Sequence, residues 1–445
     1  MRPQVVGLLV LLGLTCALGC FQAVGGPRPT PPAGATVATP TPASPTASPT
    51  PGPRWRVAWQ RPLGPVSQPP RVGRGLVYVF VGNDVLAFEA ATGALRWQYT
   101  APPLEGEAAA LGCPCARAPG LFGGQGLYVL GGPAELRALD DQTGQPRWTR
   151  SLGRQIVTPT VSAQGTVVVG AVDDQGPALL GLAEATGAVR WRRPVPAGFL
   201  PWLALDPPVV LALTLDRQLL AVDPTDGRER WRQPLPAEAV LPETDRVGGG
   251  QLVVLVPEGV MLLETTTGQV RWRARVQGWP GEALVVGPLV VVSTFDGEVV
   301  ALEAATGQRR WAHTGALGRG LASDGEVLYV PGQADDLLAL DLGTGRVRWR
   351  RPVGPLFAPA VIAGERLWAG TTSGEVVALA RATGAEQARL TVGETTVFSP
   401  VVGEEPAAGP ACCADPGRGR AGETVYVVTA GPAGSALVAL RPEAG

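Results

Sequence analysis

The fold is decided by one phrase that this sequence repeats. Residues 301–311 read Ala-Leu-Glu-Ala-Ala-Thr-Gly-Gln-Arg-Arg-Trp, and residues 87–97 read Ala-Phe-Glu-Ala-Ala-Thr-Gly-Ala-Leu-Arg-Trp. Successive turn glycines are separated by 51, 43, 40, 41, 39, 38 and 39 residues. A period near forty with short β-type runs inside it is typical of propeller blades. The eight turn glycines are Gly93, Gly144, Gly187, Gly227, Gly268, Gly307, Gly345 and Gly384.

One repeat contains enough strand signals for a four-stranded blade. Residues 289–293 and 299–302 are β-branched runs around the turn at Gly297, and a third strand begins after Gly307. A further apolar segment comes before each set, such as residues 156–161, which contain a proline. We expect this segment to be the innermost strand, where a missing N–H is least costly. The sequence therefore predicts an all-β propeller of four-stranded blades.

A tryptophan follows the turn glycine by four residues in seven repeats, and Ala388 takes its place in the eighth. We expect each indole to pack between neighbouring blades, because it is the largest apolar side chain available there. A stacking platform for a ring-shaped ligand is the alternative. The repeat tryptophans, with Trp59 from the matching segment 54–63, are Trp59, Trp97, Trp148, Trp191, Trp231, Trp272, Trp311 and Trp349.

The two ends of the repeat region complement each other. Residues 54–63 resemble an outer strand without a blade, and residues 425–429 and 436–440 resemble two middle strands with no tryptophan phrase after them. We infer that the N-terminal strand completes the last blade, which removes the open edges of the ring. Eight turns and this composite unit make nine blade-like units.

The N-terminal residues indicate export. Residues 1–20 combine Arg2, a short apolar run and Ala-Leu-Gly-Cys, as in a bacterial lipoprotein signal peptide, with Cys20 as the lipidated residue. Ordinary secretion is the alternative. Residues 21–53 are rich in Pro, Thr, Ala and Ser and are expected to form a disordered tether. Residues 54–445 would be the propeller, lipid-anchored to the cell membrane or outer membrane on the extracytoplasmic side.

Composition excludes several kinds of site. The chain has no Lys, so a phosphate loop that needs Lys cannot exist, and its net charge of −1 implies no general attraction to nucleic acid. His313 is the single histidine and is expected near a strand end at the surface. An arginine precedes the tryptophan in all seven repeats, which indicates protected outer edges or, alternatively, a basic rim for an anionic surface or glycan.

The repeat phrase resembles that of the PQQ-like, or quinoprotein-type, β-propeller family over nearly all of residues 54–440. The resemblance implies a ring that usually has eight blades. One branch of the family is the lipoprotein subunit of the outer-membrane β-barrel assembly machinery, a scaffold without quinone that contacts a protein partner. The other branch, the PQQ-dependent dehydrogenases, holds a quinone, a calcium ion and a catalytic Asp over the channel.

A local match favours the dehydrogenase branch. Residues 411–415 read Ala-Cys-Cys-Ala-Asp, similar to a vicinal-cysteine stretch of quinoprotein alcohol dehydrogenases. It lies in the last unit, whereas those enzymes have it early, and no matching calcium ligands or catalytic Asp can be identified. Cys113, Cys115, Cys412 and Cys413 are an even set in an exported domain, so we expect disulfides in one of three connectivities, with a thiolate metal site as the alternative.

The sequence thus favours a non-catalytic envelope lipoprotein that binds a protein partner as a monomeric propeller without cofactor or metal, in envelope or outer-membrane protein assembly as the resemblance implies. The alternatives are a PQQ- and calcium-dependent oxidoreductase and a glycan- or ligand-binding surface protein.

Overall fold

Nine small antiparallel sheets follow one another along the chain and close into a ring. The computed structural model describes residues 54–102, 121–123, 126–242, 247–356, 358–396, 398–403, 424–431 and 434–443. Within these ranges the nine units counted from the sequence are confirmed as nine blades, and the eight blades implied by the resemblance are wrong. The described residues contain no helix, so none that could cross a bilayer.

Each blade is a meander in which sequence neighbours pair. Blade 1 contains β2 (Arg71–Gly73), β3 (Leu76–Val81), β4 (Asp84–Glu89) and β5 (Leu95–Thr100). Blade 2 contains β6 (Leu121–Gly123), β7 (Gly126–Gly132), β8 (Glu135–Leu139) and β9 (Pro146–Ser151). Blade 3 contains β10 (Gln155–Ala163), β11 (Thr166–Asp173), β12 (Gly176–Ala183) and β13 (Val189–Pro194). Blade 4 contains β14 (Phe199–Asp206), β15 (Val209–Thr214), β16 (Gln218–Val222) and β17 (Glu229–Pro234).

The next four blades repeat the pattern, except that blade 5 has three named strands. Blade 5 contains β18 (Gln251–Val256), β19 (Gly259–Glu264) and β20 (Val270–Arg275). Blade 6 contains β21 (Pro280–Val286), β22 (Leu289–Thr294), β23 (Glu298–Glu303) and β24 (Arg309–Thr314). Blade 7 contains β25 (Ala322–Ser323), β26 (Val327–Pro331), β27 (Asp336–Asp341) and β28 (Val347–Pro352). Blade 8 contains β29 (Val361–Ala363), β30 (Arg366–Gly370), β31 (Glu375–Ala380) and β32 (Glu386–Thr391).

Blade 9 joins the two ends of the chain and confirms the predicted closure. Its strands are β33 (Thr395–Thr396), β34 (Val401–Gly403), β35 (Thr424–Gly431), β36 (Gly434–Pro442) and the outer strand β1 (Trp55–Leu63). β1 pairs antiparallel with β36 from Trp55 opposite Pro442 to Leu63 opposite Ser435. Because β1 supplies the missing outer strand, the edge of β36 is covered.

The middle strands of each blade carry the core. In β22 all six residues are buried, and in β23 four consecutive residues are buried. Such runs are apolar on both sides because each sheet is sandwiched between two neighbouring blades. The outer strands instead alternate, and β24 buries only Trp311 fully. The predicted proline-bearing inner strand is β10, whose ladder is irregular between Ile156 and Thr160.

The strand directions divide the ring into two faces, which we name here. The turn face carries the Thr-Gly turns that lead into each outer strand, together with the tight turns between first and second strands. The linker face carries the turns between second and third strands, and the segments that join one blade to the next. Hydrogen bonds within each face repeat from blade to blade, such as Ala304 N to Pro288 O on the turn face and Gly315 N to Gly297 O on the linker face.

One contact between blades recurs eight times. The indole of each repeat tryptophan lies against the turn glycine of the next blade and donates its Nε1 hydrogen to a backbone carbonyl of the same turn. Trp311, for example, donates to Leu342 O at 2.8 Å and packs on Gly345. The acceptor carbonyls for Trp59, Trp97, Trp148, Trp191, Trp231, Trp272, Trp311 and Trp349 belong to Ala90, Asp141, Glu184, Pro224, Thr265, Ala304, Leu342 and Arg381.

The interface between blades 8 and 9 is built differently because Ala388 stands at the tryptophan position of β32. Here Trp55 of β1 packs edge-on against the fully buried Trp368 of β30, with ring centroids 4.5 Å apart. The guanidinium of Arg366 lies 5.5 Å from the Trp55 ring centroid. The N-terminal strand therefore supplies the aromatic contact that the repeat lacks at this one interface.

An acid stands four residues before the glycine in six of the eight turns and organises the turn locally, whereas Ala183 and Ala380 take its place in blades 3 and 8. Asp140 Oδ1 accepts hydrogen bonds from the backbone N–H groups of Gln142 and Thr143 and from the Thr143 hydroxyl. These bonds, the Thr143 side-chain bond foremost, hold the pKa of Asp140 below its usual value. In five repeats the arginine before the tryptophan pairs with this acid seven residues earlier, in the pairs Arg96–Glu89, Arg230–Asp223, Arg271–Glu264, Arg310–Glu303 and Arg348–Asp341.

The turn of blade 7 offers a matched test of the glycine contact. Gly345 has φ of +70°, and an added Cβ would lie 2.5 Å from the Trp311 ring, whereas a Cβ on Gly343 would meet nothing closer than 3.6 Å. We expect Gly345→Ala to lower the free energy of unfolding by at least about 1–2 kcal/mol from backbone strain alone. Gly343→Ala should be close to neutral. Urea unfolding followed by tryptophan fluorescence measures both, and equal effects would contradict this account of the contact.

The turn of blade 4 gives a pH test. The Thr225 hydroxyl, followed by the Arg230 side chain, lowers the pKa of Asp223 to about 2. A carboxyl with a lowered folded-state pKa stabilises the fold above its unfolded pKa, and this contribution is lost as pH falls through the folded value. Between pH 5 and pH 2 we expect wild type to lose more stability than Asp223→Asn. Thermal melts across this range decide it, and parallel curves would show that Asp223 does not contribute.

Candidate functional site

Exposed large apolar side chains gather on the linker face. The structure describes nine such residues. Three of them, Leu95, Val189 and Val347, precede the arginine of an outer strand, and Val57 lies in β1. The remaining five occupy turns and linkers of consecutive blades from blade 4 to blade 7, and they are Leu215, Val240, Trp279, Phe295 and Leu317. Exposed apolar groups grouped on one face mark an interaction surface, whereas scattered ones do not.

A groove lies at one end of this set, between blades 6, 7 and 8. It has a volume of about 240 Å³. Phe295 is 53% exposed and Leu317 is 39% exposed at its rim. We call it the Phe295 groove; its lining residues are Phe295, Leu317, Gly318, Arg319, Gly320, Pro331, Leu356 and Ala358.

Backbone contacts fix both sides of the groove. The Phe295 N–H donates to Trp279 O at 2.9 Å, which joins the turn of blade 6 to the linker before it. Leu317 N donates to Pro331 O at 2.7 Å, which joins the next linker to the turn of blade 7. The aromatic and aliphatic rims are thus held by the same regular bonds that connect turns and linkers around the ring.

Hydrogen bonds to residues of blade 6 hold the segment that carries Arg319. Ser293 Oγ donates to Gly318 O at 2.9 Å, and Glu282 Oε2 accepts hydrogen bonds from the backbone N–H groups of Gly320 and Leu321. A Cβ on Gly318 would lie 2.9 Å from the Phe295 ring, so only glycine allows the linker to approach so closely. The backbone on either side of Arg319 is therefore positioned by buried strands of blade 6.

Arg319 is the charge at the edge of the groove. Its guanidinium lies 5.7 Å from the Phe295 ring centroid, and its side chain is exposed. No described carboxylate forms an ion pair with it. This contrasts with the outer-strand arginines, five of which pair with the acid of their own turn.

A calcium and quinone site of the dehydrogenase type does not fit the described residues. Calcium requires several converging oxygen ligands, largely from carboxylates. Among the residues that the structure describes, no group of three or more His, Cys, Asp or Glu side chains lies close enough to hold a metal ion. Cys412 and Cys413, with the rest of the vicinal-cysteine stretch, lie outside the described residues, as do Cys113, Cys115 and Cys20.

The two cysteine-containing segments, residues 103–120 and 404–423, lie outside the described residues. The connectivity of the four cysteines stays a prediction.

The other residues singled out in the sequence lie away from the groove. The repeat tryptophans and glycines meet near the turn face, where each indole bonds to a turn carbonyl. His313 lies next to the last residue of β24, near a strand end as expected, and is half-buried; burial, followed by the nearby Arg350, lowers its pKa.

Sequence reasoning missed the linker-face residues because they fall outside the repeat phrase. A weak signal existed: turns between strands are normally polar, so Leu215 and Phe295 within Leu-Asp-Arg and Phe-Asp-Gly turns are unusual. The pairing of turn acids with arginines also had a signal, the constant spacing of seven residues.

Comparison with known proteins identifies the fold and the family of this chain. A family model described as outer membrane protein assembly factor BamB matches residues 106–248 and 216–356, which together exceed half of the chain. BamB of Bordetella pertussis is 25% identical over 297 residues, covering 62% of this chain and 76% of that protein. BamB of Burkholderia pseudomallei is 24% identical over 247 residues, covering 51% of this chain; the chain thus spans 63% of that relative, less than two thirds.

A solved europium-containing methanol dehydrogenase superposes with a TM-score of 0.52 at 15% identity, over 87% of this chain and 93% of that one. At this identity the likeness shows the fold alone.

Proposed function

This chain belongs to the family of the outer membrane protein assembly factor BamB, and from that premise we propose that it is a non-catalytic scaffold that binds a protein partner during outer-membrane protein assembly. The observation that carries the proposal is the grouping of five exposed apolar side chains on the linker face. Burial of aromatic and aliphatic anchors of this kind, inside a polar rim, is the usual source of affinity in protein interfaces.

The rigidity of the linker face supports a scaffold role. Its turns and linkers are tied to each other by repeated backbone hydrogen bonds, and they rest on blades with apolar cores. A surface that is already ordered loses little conformational entropy on binding, so more of the contact energy appears as affinity.

The described chain enters the ring at the turn face, and this position supports the proposal of a tethered scaffold. The first described residue, Arg54, accepts a hydrogen bond from Glu443 N at the turn-face end of β1. A lipid anchor at Cys20 would thus be joined to the turn face, on the side opposite the apolar groups. We propose that the anchored propeller presents its linker face to the partner.

A site-specific photocrosslinker tests this assignment of faces. Benzoylphenylalanine replaces Phe295 on the linker face or, as a matched control, the exposed Ala305 in the turn of the same blade. After irradiation of cells, we expect position 295 to yield covalent adducts with proteins of outer-membrane assembly, identified by mass spectrometry, because docking buries this ring. Position 305 should yield few or none. Equal adducts from both positions, or adducts at 295 with unrelated proteins only, would contradict the proposal.

The oxidoreductase alternative has a separate test. Purified chain is incubated with PQQ and calcium, desalted, and examined for retained quinone absorbance and for dye reduction with an alcohol panel. We expect neither, since the described residues offer no converging calcium ligands. Stoichiometric quinone that survives desalting, together with turnover, would overturn the non-catalytic assignment and direct attention to residues 411–415.

A further inference from the structure

The Phe295 groove has the size of one anchor residue. Its volume is about 240 Å³, and an apolar cavity of about 150 Å³ is enough to hold a benzene ring. The lining includes the apolar side chains of Phe295, Leu317 and Leu356. A single phenyl or large aliphatic side chain can therefore enter it, with room for the chain that carries it.

Arg319 determines which chain can cover the groove. Any partner that fills the groove also shields this guanidinium from water. A charge that is removed from water without a partner destabilises a complex strongly, whereas a charge that gains an opposite group with hydrogen bonds does not. The structure describes no carboxylate paired with Arg319, so the compensating anion has to come from the partner.

The geometry of Arg319 suits a carboxylate. The guanidinium lies over the Phe295 ring at 5.7 Å from its centroid. A guanidinium near an aromatic ring keeps N–H groups that can form bidentate bonds to a carboxylate. The backbone on both sides is held by Ser293 and Glu282, so the side chain projects from a fixed point.

We propose that the Phe295 groove recognises an acidic apolar peptide motif: one large apolar side chain enters the groove, and an adjacent Asp or Glu carboxylate pairs with Arg319. This inference rests on the proposed function, since the motif would belong to the protein partner. It specifies the chemistry of that partner at one point of the linker face.

Synthetic peptides test the motif directly on the purified propeller with its natural sequence. The probes are fluorescein-labelled Gly-Ser-Phe-Glu-Ser-Gly and its Phe-Lys and Ala-Glu counterparts, and the readout is fluorescence anisotropy. We expect the Phe-Glu peptide to bind at least about tenfold more tightly than either counterpart, since the Phe-Lys peptide loses the charge-assisted pair and the Ala-Glu peptide loses the buried apolar side chain. Equal affinity for Phe-Glu and Phe-Lys, or no binding of any probe, would overturn the proposal.

Reversing the charge at position 319 provides a second test of the motif. Arg319→Glu should invert the preference, so that Phe-Lys binds more tightly than Phe-Glu. The matched control is Arg346→Glu, the same change at an exposed arginine on the turn face of blade 7, and it should leave the preference unchanged. Circular dichroism melts establish that both variants are folded. An unchanged preference in Arg319→Glu, or an inversion in Arg346→Glu, would count against the motif.

The two proposals fail separately. Photocrosslinks from position 295 to outer-membrane assembly proteins, with no charge preference among the peptides, would retain the function and reject the motif. An inverted preference in Arg319→Glu, with crosslinks only to unrelated proteins, would retain the motif and reject the function.

Discussion

The contact of an indole with the next blade's turn glycine is the constraint on which the ring depends. A propeller has no single core; each sheet buries its two faces against its neighbours, so every interface has to be specified. Here the tryptophan fills the outer part of the interface, and its indole N–H donates a hydrogen bond to a backbone carbonyl of the next blade's turn. Glycine is needed at this position for two reasons. Its φ lies between +66° and +73° in the eight turns, a left-handed conformation that other residues rarely adopt, and the indole ring lies too close to leave room for a Cβ.

This constraint explains how much of the fold could be predicted from the sequence. Because the same contact recurs, the same residues recur at a fixed spacing, and the blades, their order and the closing strand could be read from Trp59, Gly93 and their equivalents. Counting the eight turns and the composite closing unit gave the correct number of nine blades, whereas the resemblance implied eight. The aromatic pair between blades 8 and 9 could not be predicted, because Trp55 stands where the repeat has its turn glycine, although Trp368 occupies a position that is tyrosine in four other blades.

The candidate site could not be predicted from the repeat phrase, for a physical reason. The linker segments do not share the repeat phrase, although some of their residues, such as Ala316 and Leu321, are buried between blades. Phe295 comes from the turn of blade 6, whereas Leu317 and Arg319 come from the linker to blade 7, and the packing of these two segments brings them together. Whether an apolar residue in a turn is covered or exposed depends on the neighbouring blade, which a local pattern cannot report.

The pairing of β1 with β36 has a consequence for biogenesis. Strand partners such as Trp55 and Pro442 come from opposite ends of the described chain, so the ring has a contact of nearly the greatest sequence separation that the chain permits. Contacts of this kind form slowly, because the intervening chain has to be ordered first. During synthesis the segment that emerges first has to wait, unpaired, for the segment that emerges last. Until then β1 lacks its partner strand, and this interval is when the nascent propeller is most open to chaperones and to pairing with the wrong strand.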